Sequence, residues 1–192
     1  MENGNIQLKI RYLTQIALMS AVICILGPVV IPIGTIPISF TGIGVYLSLF
    51  LIGKKKAVAA VCVYLLLGMA GLPVFSGFSS GLGKLMGPTG GYLVGFLFSA
   101  YLSGGLMEEK RIQKKLKTEA GRVIYYFIAL FVGNLSLYLL GSLWLSYTNS
   151  LSVKAAFQIG VLPFIVPDFL KNIIVISLGR KIMKRIRNVE ML

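Results

Sequence analysis

The chain has 192 residues, of which 56% are hydrophobic and only 13% charged, with a net charge of +13 and no histidine. Soluble domains carry nearer a quarter charged residues, so a water-soluble globular enzyme is excluded, and the commonest general base and metal ligand is absent. The positive charge does not indicate nucleic acid, because the basic residues sit in short clusters between apolar blocks rather than in one stripe with interleaved aromatics.

The first apolar block, about Tyr12 to Ile31, is long enough to cross a hydrocarbon core, lacks an AxA-like cleavage site and is read as a span. The Pro-rich stretch Pro32-Ile33-Gly34-Thr35-Ile36-Pro37 follows as loop. The second block, roughly Ser39 to Gly53, ends at Lys54-Lys55-Lys56, and the third runs from Ala57 to about Leu72. Cys24 and Cys62 lie inside these blocks without CxxC spacing and read as small buried hydrophobes, not a disulfide. A Gly/Ser-rich connection, Gly77 to Lys84, leads to Gly87-Pro88-Thr89-Gly90-Gly91-Tyr92 and a fourth block ending at Met107. A charged linker of about residues 108–122 reads either as a short amphipathic helix or as a plain loop. The fifth block spans about Val123 to Leu145, with Trp144 and Tyr147 forming an interfacial aromatic belt at its far end. The sixth runs from Ala155 to Leu178. No internal repeat is visible, which argues against an inverted-repeat transporter.

Orientation follows from the basic residues. Lys9 and Arg11, the triple lysine, the linker cluster Lys110, Arg111, Lys114, Lys115, Lys117 and Arg122, and Arg180, Lys181, Lys184, Arg185 and Arg187 place sixteen of nineteen on one side. The expectation is one all-α transmembrane domain over residues 1–192, with six transmembrane helices and both termini cytoplasmic.

Asp168 is the only aspartate and lies inside the sixth block, with Lys171 at i+3 and Asn172 at i+4. An ionisable group in a span is costly and marks a pathway or a site by default. The competing reading is a self-neutralising pair that locks the bundle. Counted from Arg180, Asp168 lies about 18 Å along its helix, and Asn134, counted from Arg122, lies about 18 Å along the fifth. These two groups can therefore share a layer, with Tyr138 one turn beyond Asn134 on the same face. Alone, Asn134 would read as helix–helix glue. Pro163 and Pro167 remove backbone donors beside this layer, and freed backbone in a membrane is tolerated where it lines a cavity or is buried by protein; the alternative is a simple kink that splays the outer half of the helix. Thr89, Gly90 and Gly91 at a helix start can bring N–H groups to an anion, although Gly-rich runs also serve as turns and packing sites. The GxxxxGK[ST] phosphate loop is absent, so ATP hydrolysis by that route is excluded.

The runs Gly71-Leu72-Pro73-Val74-Phe75, Gly87-Pro88-Thr89-Gly90-Gly91-Tyr92-Leu93 and Pro167-Asp168-Phe169-Leu170-Lys171 resemble the BioY family, over nearly the whole chain. These are the biotin-specific substrate-binding (S) components of energy-coupling-factor transporters. The resemblance implies a six-helix S-component fold and biotin capture from the outer face of a bacterial cytoplasmic membrane. It also implies assembly with a transmembrane coupling subunit and two ATP-binding subunits. Ala17-Leu18-Met19-Ser20-Ala21 is similar to the small-xxx-small motif by which S components meet the coupling subunit, which implicates Ala17 and Ala21; without the resemblance it reads as internal packing. The loop Pro32 to Phe40 resembles the region that lids the site.

The chemistry of biotin fits this inventory. Asp168 can accept a ureido N–H, and Lys171 or Asn134 can donate to the ureido carbonyl. Tyr138 and Asn172 flank them. Tyr92, Phe75 or Phe78 can pack on the thioether ring, and the carboxylate tail can meet the N–H groups of Thr89 to Gly91. The reverse orientation, with Lys171 on the carboxylate, fits equally. No metal or other cofactor is expected. The rival readings are an S component for another small vitamin and an ion-coupled secondary transporter. An intramembrane enzyme lacks an activated nucleophile or a carboxylate pair within the spans.

Overall fold

A computed structural model describes residues 2–32, 36–109 and 118–189. Helix α1 (Glu2–Leu26) is followed by strands β1 (Val30–Ile31) and β2 (Ile38–Ser39), then α2 (Thr41–Met69), α3 (Leu82–Met86) and α4 (Gly90–Met107). Helices α5 (Glu119–Thr148), α6 (Val153–Gly160) and α7 (Leu162–Val189) complete the chain. The strands form a small antiparallel hairpin with Val30 opposite Ser39 and Ile31 opposite Ile38.

Six helical runs of twelve residues or more lie among the described residues. Four stretches are long and apolar enough to cross a bilayer by length and composition: Ile6–Leu26, Gly90–Met107, Glu119–Thr148 and Val153–Ile186. The other two are the halves of α2, residues 41–52 and 54–69, which meet at Gly53, whose backbone is non-helical (φ 76°, ψ 171°). The chain reverses there. Thr41 is tied through Ser39 Oγ to the Gly27 carbonyl, and Tyr64 lies beside Gly27 too, so both ends of α2 sit at the far end of α1. At the bend, the Lys54 N–H donates to Glu108 Oε1 (2.7 Å) and Lys56 Nζ to Gln15 Oε1 (2.5 Å). This φ/ψ combination is almost confined to glycine.

The basic residues mark one end of the bundle. Glu119 pairs there with Arg122 and Arg180, and α5 starts on Thr118, whose side chain accepts from the Gly121 N–H. The Lys110 to Lys117 cluster lies outside the described residues. At the opposite end, Trp144 Nε1 donates to the Gly87 carbonyl (2.9 Å) and its side chain packs over Gly91. The aromatic belt expected of Trp144 thus also fastens the turn before α4.

Several boundaries differ from the hydropathy reading. Helix α1 begins ten residues before Tyr12 and stops at Leu26, because Gly27-Pro28 ends it before Ile31. The triple lysine is helical rather than interhelical. The sixth block is two helices, broken at Val161 (φ −125°, ψ −53°), with Ser152 capping the start of α6 and Pro163 in the first turn of α7. Proline suits that turn because no intrahelical N–H bond is required of it. Cys24 and Cys62 are free and half-buried.

Packing relies on small residues, as expected where lipid and side chains are equally apolar. Gly133 faces Ser99 and Ser103 across the α4–α5 seam, the Tyr92 ring lies on Gly141, and Phe50 lies on Gly179. Large apolar side chains such as Ile25 (70% exposed) and Leu139 (60%) cover the outside, a pattern suited to hydrocarbon and untenable over such an area in water.

Replacing Gly53 with alanine should lower stability by about 2 kcal/mol, since a Cβ at that φ/ψ is strained and would meet Glu108 Oε1 at 2.9 Å. Gly83→Ala, whose Cβ enters open space, should leave the thermal unfolding midpoint in detergent unchanged. Equal midpoints for the two variants would contradict the strained bend.

Candidate functional site

The layer built around Asp168 is a cavity. Helix α7 contributes Asp168, Lys171 and Asn172 from one face, as the i+3 and i+4 spacing requires. Helix α5 contributes Asn134, Leu137 and Tyr138, α2 contributes Thr41, Gly42 and Tyr46, and the hairpin adds Ile36, Pro37 and Ser39. Thr89, Tyr92, Leu93 and Phe96 close the side formed by the start of α4.

Both members of the ionisable pair have protein partners. Lys171 Nζ donates to Asp168 Oδ1 (2.8 Å) and to the Ser39 carbonyl (2.8 Å), and Tyr138 Oη donates to Asp168 Oδ2 (2.7 Å). The lysine and aspartate side chains are only 12% and 13% exposed. Pairing with several hydrogen bonds is what makes charge tolerable in such a setting. One Lys171 N–H and further carboxylate lone pairs remain for a ligand. Pro167, inside α7 immediately before Asp168, has no N–H for the Pro163 carbonyl one turn earlier.

A second polar group faces this pair. Tyr46 Oη donates to Asn134 Oδ1 (2.5 Å) and lies 2.6 Å from Ser99 Oγ. Asn134 and Asp168, expected at one depth, are thus in one cavity, joined through Tyr138, which lies one turn past Asn134. Two further polar groups are buried without a protein partner: both amide atoms of Asn172, and Thr89 Oγ1. Such atoms are costly unless a ligand or water satisfies them.

The walls are otherwise apolar. The Tyr92 hydroxyl donates to the Gly160 carbonyl (2.8 Å), and the ring lies 6.3 Å from that of Phe164. With its hydroxyl engaged, Tyr92 offers the cavity a ring face.

Four residues singled out from sequence sit elsewhere. Gly90 packs under Leu85 beside the Trp144 indole, and Gly91 packs against Trp144 and the Leu140 carbonyl. Their lack of a side chain lets α4 approach its neighbours, and the Gly90 N–H already donates to the Gly87 carbonyl. Phe75 is fully buried edge-on against Tyr64, over Gly68, and belongs to the main core. Phe78 is 71% exposed and also lies off the cavity wall. Conversely, Tyr46, Ser39, Thr41 and Phe164 line the cavity and were not legible as site residues. A tyrosine within the apolar second block was the one available signal, since a buried phenol needs a partner.

Ala17 and Ala21 lie on the outward face of α1, both exposed, whereas Met19 and Ser20 between them point inward. Ser20 donates to the Ile16 and Ala60 carbonyls, so α1 contacts α2 through that inner face and leaves the alanine face uncovered.

The BioY family model matches residues 1–188 of this chain. A biotin transporter of Lactococcus lactis subsp. cremoris is 37% identical over 171 residues, 89% of this chain and 89% of that protein. A biotin transporter of Thermotoga maritima is 32% identical over 176 residues, 91% of this chain and 96% of its own length. The crystal structure at 2.1 Å of the S-component for biotin from an ECF-type ABC transporter superposes with a TM-score of 0.78 at 28% identity, covering 93% of each chain.

Removing one member of the ion pair should be worse than removing its charge altogether. Lys171→Met leaves a buried carboxylate uncompensated and should cost about 3–5 kcal/mol. Asp168→Asn/Lys171→Met, which keeps an acceptor for Tyr138, should regain most of the thermal midpoint in detergent. A double variant no more stable than Lys171→Met would show that the pair is not a charge-compensating unit.

Proposed function

Because the chain belongs to the BioY family, we propose that it is a biotin-binding S component that captures biotin for uptake and catalyses no reaction itself. The observation that carries this reading is the buried Asp168–Lys171 pair opening on a cavity within the helix bundle. Asp168 accepts a ureido N–H, and the free N–H of Lys171 and the Asn134 amide donate to the ureido carbonyl. The ring faces of Tyr92 and Phe96 bound the bicyclic part. Thr89 Oγ1, buried without a protein partner, hydrogen-bonds the carboxylate tail.

The basic end of the bundle, with Lys54 to Lys56 and Arg180, faces the cytoplasm, which puts both termini there in a bacterial cytoplasmic membrane. The alanine face of α1 receives the transmembrane coupling subunit, whose two ATP-binding partners supply the energy. Small residues there let a partner helix approach closely. No metal is required. A vitamin of other shape is the alternative ligand, and a binding screen separates the two.

Purified protein should bind biotin stoichiometrically without ATP hydrolysis. Asp168→Asn keeps the shape but loses the charge-assisted acceptor, which contributes about 1.5–3 kcal/mol; biotin affinity should fall roughly ten- to a hundredfold. Titration calorimetry on protein with an unaltered size-exclusion profile measures this, and native affinity in that variant would remove Asp168 from the site.

Ala17→Trp or Ala21→Trp should block co-purification with the coupling subunit and leave biotin binding intact. Lost biotin binding with assembly preserved would exchange the two faces.

A further inference from the structure

We infer that the hydrogen-bond chain Ser99–Tyr46–Asn134 fixes the polarity of the Asn134 amide, so that Tyr46 is a positioning residue that determines ligand specificity. The inference rests on the biotin reading and assigns a role to residues outside the ion pair.

The three side chains come from three helices, α4, α2 and α5, and all are buried: Ser99 0%, Tyr46 3% and Asn134 4% exposed. A tyrosine hydroxyl has one proton. Tyr46 gives it to Asn134 Oδ1 at 2.5 Å. The 2.6 Å contact with Ser99 Oγ must then run the other way, with the serine O–H donating to the phenol oxygen. The chain is therefore directional. It consumes the carbonyl side of the Asn134 amide and leaves the NH2 side unspent. Turning the amide over would make its N–H donate to the phenol oxygen and send the phenol proton to Ser99 Oγ, leaving the serine proton, with no other acceptor among the described residues, unmatched in surroundings where an unmatched donor is costly.

The consequence concerns which ligand edge fits. Asp168 is an acceptor, held by Tyr138, and Asn134, one turn before Tyr138 on α5, is a donor. An acceptor and a donor side by side complement the N–H and C=O of a cyclic urea. They do not complement a cyclic guanidinium, whose corresponding edge carries donors only. Tyr46 and Ser99 thereby act on specificity through Asn134.

The test compares biotin with 2-iminobiotin, in which the ureido carbonyl is replaced by an imine protonated at neutral pH. The measured quantity is the ratio of the two dissociation constants, by titration calorimetry at pH 7. In Tyr46→Phe the amide is free to turn its oxygen inward. Biotin affinity should fall about tenfold, the equivalent of one hydrogen bond, while 2-iminobiotin affinity holds or rises, so the ratio shrinks about tenfold or more. Ser99→Ala, a milder change that serves if Tyr46→Phe does not fold, should shrink the ratio about threefold. Both affinities falling together with the ratio unchanged, in either folded variant, overturns the inference while biotin binding stands. Wild-type protein that binds no biotin overturns the underlying reading instead.

Discussion

A carboxylate held among membrane-spanning helices is the constraint around which the molecule is arranged. Asp168 is tolerable only because Lys171 and Tyr138 each take one of its oxygens. Those partners in turn fix three parts of the chain relative to one another. Lys171 shares helix α7 with the carboxylate, Tyr138 brings in α5, and the second Lys171 bond recruits the hairpin at Ser39. Charge neutralisation and cavity construction are one arrangement, since the groups that make the aspartate affordable also enclose the space beside it.

The apolar remainder of the bundle holds these groups in register. Hydrophobic burial gives little drive between helices in lipid, so close approach must come from shape. Glycines and serines along the α4–α5 seam provide it, with Gly133 opposite Ser99 and Ser103 and Gly141 under the Tyr92 ring. Ser99 also hydrogen-bonds Tyr46, so one small residue belongs to both the packing seam and the polar interior. The hairpin is held by a separate apolar cluster, in which Ile36 and Ile38 pack with Tyr138, Leu145, Ala156, Val161 and Phe164. That cluster is distinct from the main core around Met19, Ile23, Tyr64 and Leu130.

Much of this was legible from residue order because a membrane imposes one-dimensional rules. Apolar run length predicts six spans, against four stretches among the described residues that are long and apolar enough to cross a bilayer, and basic residues mark one end. Asp168, Lys171 and Asn172 share a face by helical spacing alone. Depth counting placed Asn134 beside them without any knowledge of packing. What escaped depends on long-range contact. Tyr46 meets Asn134 across 88 positions, and nothing local distinguishes it from Tyr64, which is buried in the core. Gly90, Gly91 and Phe75 lie off the cavity wall, and a glycine at a helix start has one sequence appearance whether it admits a ligand or a tryptophan. The break at Val161 is not located by hydropathy, which runs unbroken across it, and its local signs, Gly160 and Pro163, read equally as a simple kink.

The bond from Lys171 to the Ser39 carbonyl couples two distant parts of the chain mechanically. An ammonium has three N–H groups, and here one serves the carboxylate and one the hairpin backbone. Lifting the hairpin strips that ammonium of a partner at the depth where replacement by water is hardest. A displacement of the hairpin is therefore felt at the carboxylate, and a change in the pairing of Asp168 is felt at the hairpin, because one nitrogen atom belongs to both.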